Sequence, residues 1–184
     1  MVKEVEAEAK LRVGIETLWK ALVKDLRFIV PKLMPNSVEK VELIHGDGGL
    51  GSVLLFHLVH DEEMMKRQKE KIVKLDETKH EFGIEVMEGN ILKRGFSSFN
   101  TTFKLSSISE KETLVDFKVV YETELGDDEV EQSHLEKVAT STSLSFFQLL
   151  ENFLLDSSSY DVFGPQTKDT FAVWIMEILV LGFQ

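Results

Sequence analysis

Cysteine is absent from this 184-residue chain, and proline occurs three times. Without cysteine there is no disulfide framework, no thiolate nucleophile and no thiolate-ligated zinc. Pro31 and Pro35 bracket a break, and Pro165 stands beside Gly164, where it ends any helix. Basic charge is also short: 21 Lys and Arg against 32 Asp and Glu leave a net charge of −11. That balance argues for no nucleic-acid partner, because phosphate binding draws its affinity from clustered cations. The densest basic run, Lys66-Arg67-Gln68-Lys69-Glu70-Lys71, alternates and reads as the wet face of one strand. A long apolar run is missing too. Phe171–Phe183 is thirteen residues with Glu177 inside it, too short for a membrane span. The first six residues lack the apolar core of a signal peptide, which predicts a cytoplasmic protein, with the nucleus as a second location.

What remains is an ordinary balance of 43% hydrophobic and 29% charged residues, enough for one domain with a real core. Val5, Ala7, Ala9, Leu11 and Val13 alternate onto one face of a strand over 2–13. Ile15–Lys24 changes to helical spacing, and a second short helix near Asp25–Ile29 is expected to stop at Pro31. Strands are expected at 37–45, 52–60, 64–75, 79–88, 91–106 and 112–124, with turns at Asp61-Glu62-Glu63, Asp76-Glu77-Thr78, Gly89-Asn90 and Ser107–Lys111. Connections this short imply consecutive antiparallel hairpins. A helix from about Asp128 to Leu155 follows, its apolar stripe made of Leu135, Val138, Ala139, Thr142, Phe146, Leu149, Leu150 and Phe153. The sum is an α+β fold: a curved antiparallel sheet closed by a long helix, within a domain of residues 1–155. Residues 156–184 fall outside that plan and read as a poorly ordered or loosely docked extension, whose apolar part could seed a weak dimer.

The glycine-rich loop Gly46-Asp47-Gly48-Gly49-Leu50-Gly51 lies between two of these strands. A phosphate-cradling loop needs a lysine and a following helix, and this one has neither. Taken alone it is a structural turn.

Alternation along 64–75 puts Arg67, Lys69 and Lys71 in water and Gln68, Glu70 and Ile72 on the opposite, concave face. Each unsatisfied polar group buried there costs about 1–3 kcal/mol. Two explanations stand side by side: water or the long helix satisfies Gln68 and Glu70, or a ligand does. The other cavity candidates are Phe56, Phe82, Ile84, Val86, Phe99, Phe103, Val119, Tyr121, Leu135, Ala139, Thr142 and Phe146; Tyr121 and Thr142 stand out because each brings a hydroxyl to the interior. His57, His60, His80 and His134 lack metal-ligand spacing and read as surface or turn residues, so no metal and no cofactor are expected.

The glycine loop, the Glu88-Gly89 turn and the long last helix, in that order over about residues 1–155, resemble the Bet v 1 or pathogenesis-related class 10 family of plant proteins. That resemblance implies seven antiparallel strands gripping the helix, two short helices forming a V, and an apolar cavity for a small hydrophobic plant metabolite. Leu33-Met34-Pro35-Asn36, the stretch Phe99–Phe103 and Leu149–Leu155 look most like the cytokinin-specific and phytohormone-binding branch. In that branch a glutamine and a glutamate two apart hydrogen-bond the ligand, and Gln68 and Glu70 fall on those positions. Its threonine and tyrosine on the long helix correspond to Ser143 and Phe146, so one hydroxyl is lost. The neighbouring norcoclaurine synthase branch uses a lysine, a glutamate, a tyrosine and an aspartate. Here those positions hold Phe82, Glu70, Gln68 and Thr101, so three of the four catalytic groups are unmatched. The resemblance therefore implies a binding protein for a cytokinin- or gibberellin-type hormone rather than an enzyme. A ribonuclease reading attached to the glycine loop is opposed by the acidic charge and the lack of a catalytic histidine pair.

Overall fold

Alternation is clearest in the last strand, Glu112–Thr123, where Thr113, Val115, Phe117, Val119 and Tyr121 are buried and the residues between them are half-buried. The same period-two logic builds the whole sheet. The computed structural model describes residues 2–59, 66–93, 95–123 and 129–156, the side chains of 129–136, 138 and 139 excepted. In chain order its elements are β1 (Val2–Leu11), α1 (Ile15–Val23), α2 (Leu26–Leu33), β2 (Val38–His45), β3 (Val53–Leu58), β4 (Arg67–Asp76), β5 (Glu81–Glu88), α3 (Asn90–Lys93), β6 (Phe96–Ser109), β7 (Glu112–Thr123) and α4 (Glu129–Leu155). The strands form one seven-stranded antiparallel sheet in the order β1-β7-β6-β5-β4-β3-β2. Consecutive hairpins account for β2 to β7, while β1 pairs with β7 at the far edge, Val5 opposite Val119.

Three expectations need correction. First, α2 does not stop at Pro31 but runs through it to Leu33. Proline removes one N–H, yet Ile29 and Val30 are buried on one side of it and Met34 on the other, and the Met34 N–H still donates to the Val30 carbonyl (2.9 Å). Packing on both sides outweighs one lost bond. Second, the strand expected from residue 91 begins at Phe96. Asn90–Lys93 is a single helical turn, drawn inward by Asn90 and Ile91, which are 1% exposed. Third, β6 extends to Ser109, so the last hairpin is tighter than Ser107–Lys111, with Ser109 opposite Glu112. The turn at Asp61-Glu62-Glu63, residues His60 and His134, the side chains of Leu135, Val138 and Ala139, and the tail beyond residue 156 lie outside the described residues. Among the described residues no helix is long and apolar enough to cross a membrane.

The α4 helix covers the inner face of the sheet. Phe147 and Leu150 are fully buried, and the Phe147 ring meets Phe103 edge-on at 5.4 Å. Periodicity had singled out Phe146, which is half-buried beside it. The end of α4 is fastened to the end of β1 by a buried carboxylate. Glu151 Oε1 accepts the Arg12 backbone N–H (2.6 Å) and the Arg12 Nε–H (3.2 Å), while Oε2 accepts the Gln148 amide (3.1 Å). Burial pushes the Glu151 carboxyl up, but these donors outweigh it and hold the group below the usual carboxylate range. Nearby, the Thr113 hydroxyl donates to the Val13 carbonyl (2.7 Å).

Glu151→Ala is expected to lower unfolding stability by about 1–3 kcal/mol, because it orphans the Arg12 amide; urea denaturation checks this. An unchanged midpoint would show that the fastening is ornamental.

Candidate functional site

Between the sheet and α4 lies a cavity of about 190 Å³. Its walls come from β3 to β7, its roof from α4 and its floor from α1 and α2. Most of the lining is apolar. The polar exceptions are Gln68 and Glu70 on β4, Thr101 on β6, and Thr142 and Ser143 on α4.

Gln68 and Glu70 point inward because β4 alternates; they are 2% and 8% exposed. The Gln68 Nε2–H donates to Glu70 Oε1 at 2.6 Å. Burial pushes the Glu70 carboxyl up to about 7, against the opposing pull of the Gln68 amide. Among the described residues Glu70 is the one ionisable side chain lining the cavity. Gln68 owes its position to a missing side chain across the sheet: a Cβ on Gly89 would stand 2.7 Å from Gln68 Oε1 and 3.0 Å from its Cγ. The Glu88-Gly89 turn is therefore part of the site. Gln68 Oε1 and the buried Thr142 Oγ1 have no hydrogen-bond partner among the described residues. Among the described residues one acceptor and one hydroxyl thus lack a partner in the chamber that also holds a carboxyl group raised by burial to about 7.

Of the residues expected from sequence, Gln68, Glu70, Phe82, Phe99, Thr101, Thr142, Ser143 and Phe146 line this cavity together. Tyr121 is buried on the same face as Phe99, its partner across β6 and β7, with its ring 6.4 Å from Phe99 and 5.6 Å from Phe96, but it is not one of the residues that line the cavity. The Ala139 side chain is outside the described residues. The floor was missed. Leu22, Leu26, Val30, Met34 and Val38 line the cavity from the V of short helices and the start of β2. The apolar face of α1 and α2 was the available signal, had it been followed to the cavity as well as to the core.

The glycine loop is not part of this cavity. Its amides are used internally: Gly48 N–H donates to Ser52 Oγ (2.9 Å), Gly49 N–H to Asp47 Oδ1 (2.9 Å) and Gly51 N–H to the Ile72 carbonyl (2.8 Å). Gly46 has φ 83°, and a Cβ there would run into the Ser52 side chain. The loop is self-filled, which leaves no cradle for a phosphate. Among the described residues no group of three or more His, Asp or Glu could hold a metal ion.

The model of the pathogenesis-related protein Bet v 1 family matches residues 1–157. Pathogenesis-related protein B of Petroselinum crispum is 29% identical over 154 residues, covering 84% of this chain and 97% of its own. The Dau c 1 isoallergen Dau c 1.0401 of Daucus carota subsp. sativus matches with the same identity and coverage. Among solved structures, Ara h 8.0201 superposes with a TM-score of 0.68 at 25% identity, covering 84% of this chain and 99% of its own. Norcoclaurine synthase from Thalictrum flavum, in complex with dopamine and hydroxybenzaldehyde, superposes with a TM-score of 0.68 at 20% identity, covering 89% and 90%; that likeness is one of fold.

The raised Glu70 value makes a prediction about stability. The unfolded carboxyl titrates near 4.5 and the folded one near 7, so the folded state holds more protons between those values. Stability from this group is therefore full below about pH 4.5 and is lost as pH rises through about 7, by roughly 3 kcal/mol. Glu70→Gln is expected to flatten that slope and raise stability at pH 8 in denaturation curves run across pH. A slope that survives the substitution would place the titration elsewhere.

Proposed function

This chain belongs to the pathogenesis-related protein Bet v 1 family, whose members bind small hydrophobic ligands, and from that premise we propose that it binds a phytohormone-type ligand of the cytokinin or gibberellin class in the cavity under α4, as carrier, store or sensor. The observation that carries this reading is the buried Gln68–Glu70 pair with Gln68 Oε1 and Thr142 Oγ1 unsatisfied beside it. In an apolar chamber such groups orient a ligand that offers N–H, O–H and acceptor atoms. Glu70 accepts from a ligand N–H when ionised and donates to a ring nitrogen when protonated; Gln68 Oε1 takes a second N–H; Thr142 serves either way. Apolar contact supplies most of the affinity, at about 25 cal/mol per Å² before ordering costs.

An enzyme related to norcoclaurine synthase is the second reading, supported by a carboxyl tuned to about 7. Its difficulty is that, among the described lining residues, Glu70 has no second ionisable partner, and by the resemblance Phe82 and Thr101 fall where that branch carries lysine and aspartate.

Calorimetric titration with a cytokinin, a gibberellin, abscisic acid, an auxin and dopamine tests both. A cytokinin is expected to bind in the micromolar range or tighter, and Gln68→Ala and Thr142→Val are each expected to weaken it about tenfold. Binding indifferent to both substitutions, or to none of the five compounds, would overturn the hormone reading. Turnover of dopamine with an aromatic aldehyde, lost in Glu70→Gln, would establish the enzyme instead.

A further inference from the structure

A second and larger cavity, about 390 Å³, opens on the other side of Leu22, Leu26 and Phe82, which line both chambers. Its floor is apolar; Leu22, Leu54, Ile72 and Phe82 contribute, each no more than 6% exposed. Its rim is charged, and the two signs are segregated. Lys24 at the C-terminal cap of α1 and Arg27 in the first turn of α2 stand on the helix side. Asp47 in the glycine loop and Glu77 in the turn between β4 and β5 stand on the loop side.

Elsewhere on this surface, charges of opposite sign close on each other. Lys69 meets Glu88 at 2.6 Å, Lys74 meets Glu81 at 2.5 Å and Lys118 meets Glu4 at 2.6 Å. Around the outer cavity they do not. Among the described residues neither Lys24 nor Arg27 pairs with Asp47 or Glu77; Arg27 lies over the Phe28 ring at 4.4 Å, and Asp47 Oδ1 caps Gly49. Lys24 and Arg27 on the helices and Asp47 and Glu77 in the two loops thus line one apolar-floored cavity without pairing with each other among the described residues.

We infer that this outer cavity is a second ligand site, for a small zwitterion carried on an apolar body, in the manner of an aromatic α-amino acid. The ring lies on the floor and leaves water there. The carboxylate faces Lys24 and Arg27, and the ammonium faces Asp47 and Glu77. A ligand with one charge satisfies one side and meets like charge on the other, so the segregated rim selects for both charges together. This site does not depend on the hormone reading, because Glu70, Gln68 and Thr142 line the inner chamber and not the outer one.

L-Tryptophan, tryptamine and indole-3-propionate share one ring and differ in charge, so they make the test. Each is titrated into the full-length protein while backbone amide shifts are followed by NMR. L-Tryptophan is expected to bind about tenfold tighter than either single-charge analogue, exposed ion pairs being individually weak. The largest shifts are expected at Lys24, Gly48 and Gly49. Arg27→Gln is expected to weaken tryptophan and indole-3-propionate about threefold and to leave tryptamine unweakened; Glu77→Gln is expected to do the reverse. Glu70→Gln is expected to leave tryptophan binding unchanged. Equal affinity for all three compounds, shifts centred on Gln68 and Thr142, or no saturable shift would each overturn the assignment.

Discussion

One helix must cover the inner face of seven strands, and a single helix is too narrow to fill that space. Everything else in the molecule follows from how the remaining volume is divided. At one end Phe147 and Leu150 of α4 reach the sheet and pack into a continuous core with Phe103, Phe117 and Leu105. At the other end Val30, Met34, Val38, Leu54, Phe56 and Leu58 form a separate apolar cluster under α2. Phe146 packs against both clusters, and the inner cavity lies where they fail to merge. The hold of Glu151 on Arg12 matters for this reason. It fixes the far end of α4, so the gap is set by tethered elements rather than closed by collapse.

Within that gap the electrostatic arrangement is set by the sheet and not by the helix. The carboxyl of Glu70 is raised because nothing in the chamber compensates its desolvation beyond one amide hydrogen bond from Gln68. A cation on α4 or α2 would oppose the effect, and among the described residues the lining holds none. Gln68 in turn is held by the absence of a Cβ at Gly89, two strands' width being too small for both. A turn glycine, a buried amide and a titratable carboxyl are thus mechanically linked across β4 and β5.

The parts of this arrangement that depend on local period were legible in the sequence. Alternation placed Gln68, Glu70 and Ile72 on the inner face of β4, and all three are buried. It also gave Phe82, Phe99 and Phe103 their inward direction. What it could not supply was the distance between elements. Tyr121 has the alternation of a lining residue and is buried, yet its ring packs against Phe96 and Phe99 at the β6–β7 end of the sheet, outside the cavity lining. Leu26, Val30 and Met34 had the periodicity of support helices, and the cavity floor they make depends on where β2 and β3 leave off. Pro31 misled for a related reason. The local rule against proline in a helix was outweighed by burial of Ile29 and Val30 before it and Met34 after it. The strand expected from residue 91 took in Ile91 and Leu92 because they are apolar, whereas a single helical turn over Asn90–Lys93 brings them onto the core.

The wall between the two chambers has unequal sides, and this bears on how either could change size. Phe82 is 1% exposed, belongs to the centre of the sheet and is stacked on Phe103 at 6.4 Å. Moving it would disturb β5, β6 and the Phe147 contact together. Leu26 is half-buried at the start of α2, a helix of eight residues whose Asp25 cap makes no side-chain hydrogen bond and whose next residue but one, Phe28, is 57% exposed. On the helix side α2 is anchored by Ile29, Val30 and Met34, which are buried in the two core clusters, while Leu26 is half-buried at its first turn. The α2 helix carries Arg27 to the outer cavity and Val30 to the inner one. Leu22, Leu26 and Phe82 line both chambers, so a displacement of α2 at the inner one would also move Arg27 at the outer one.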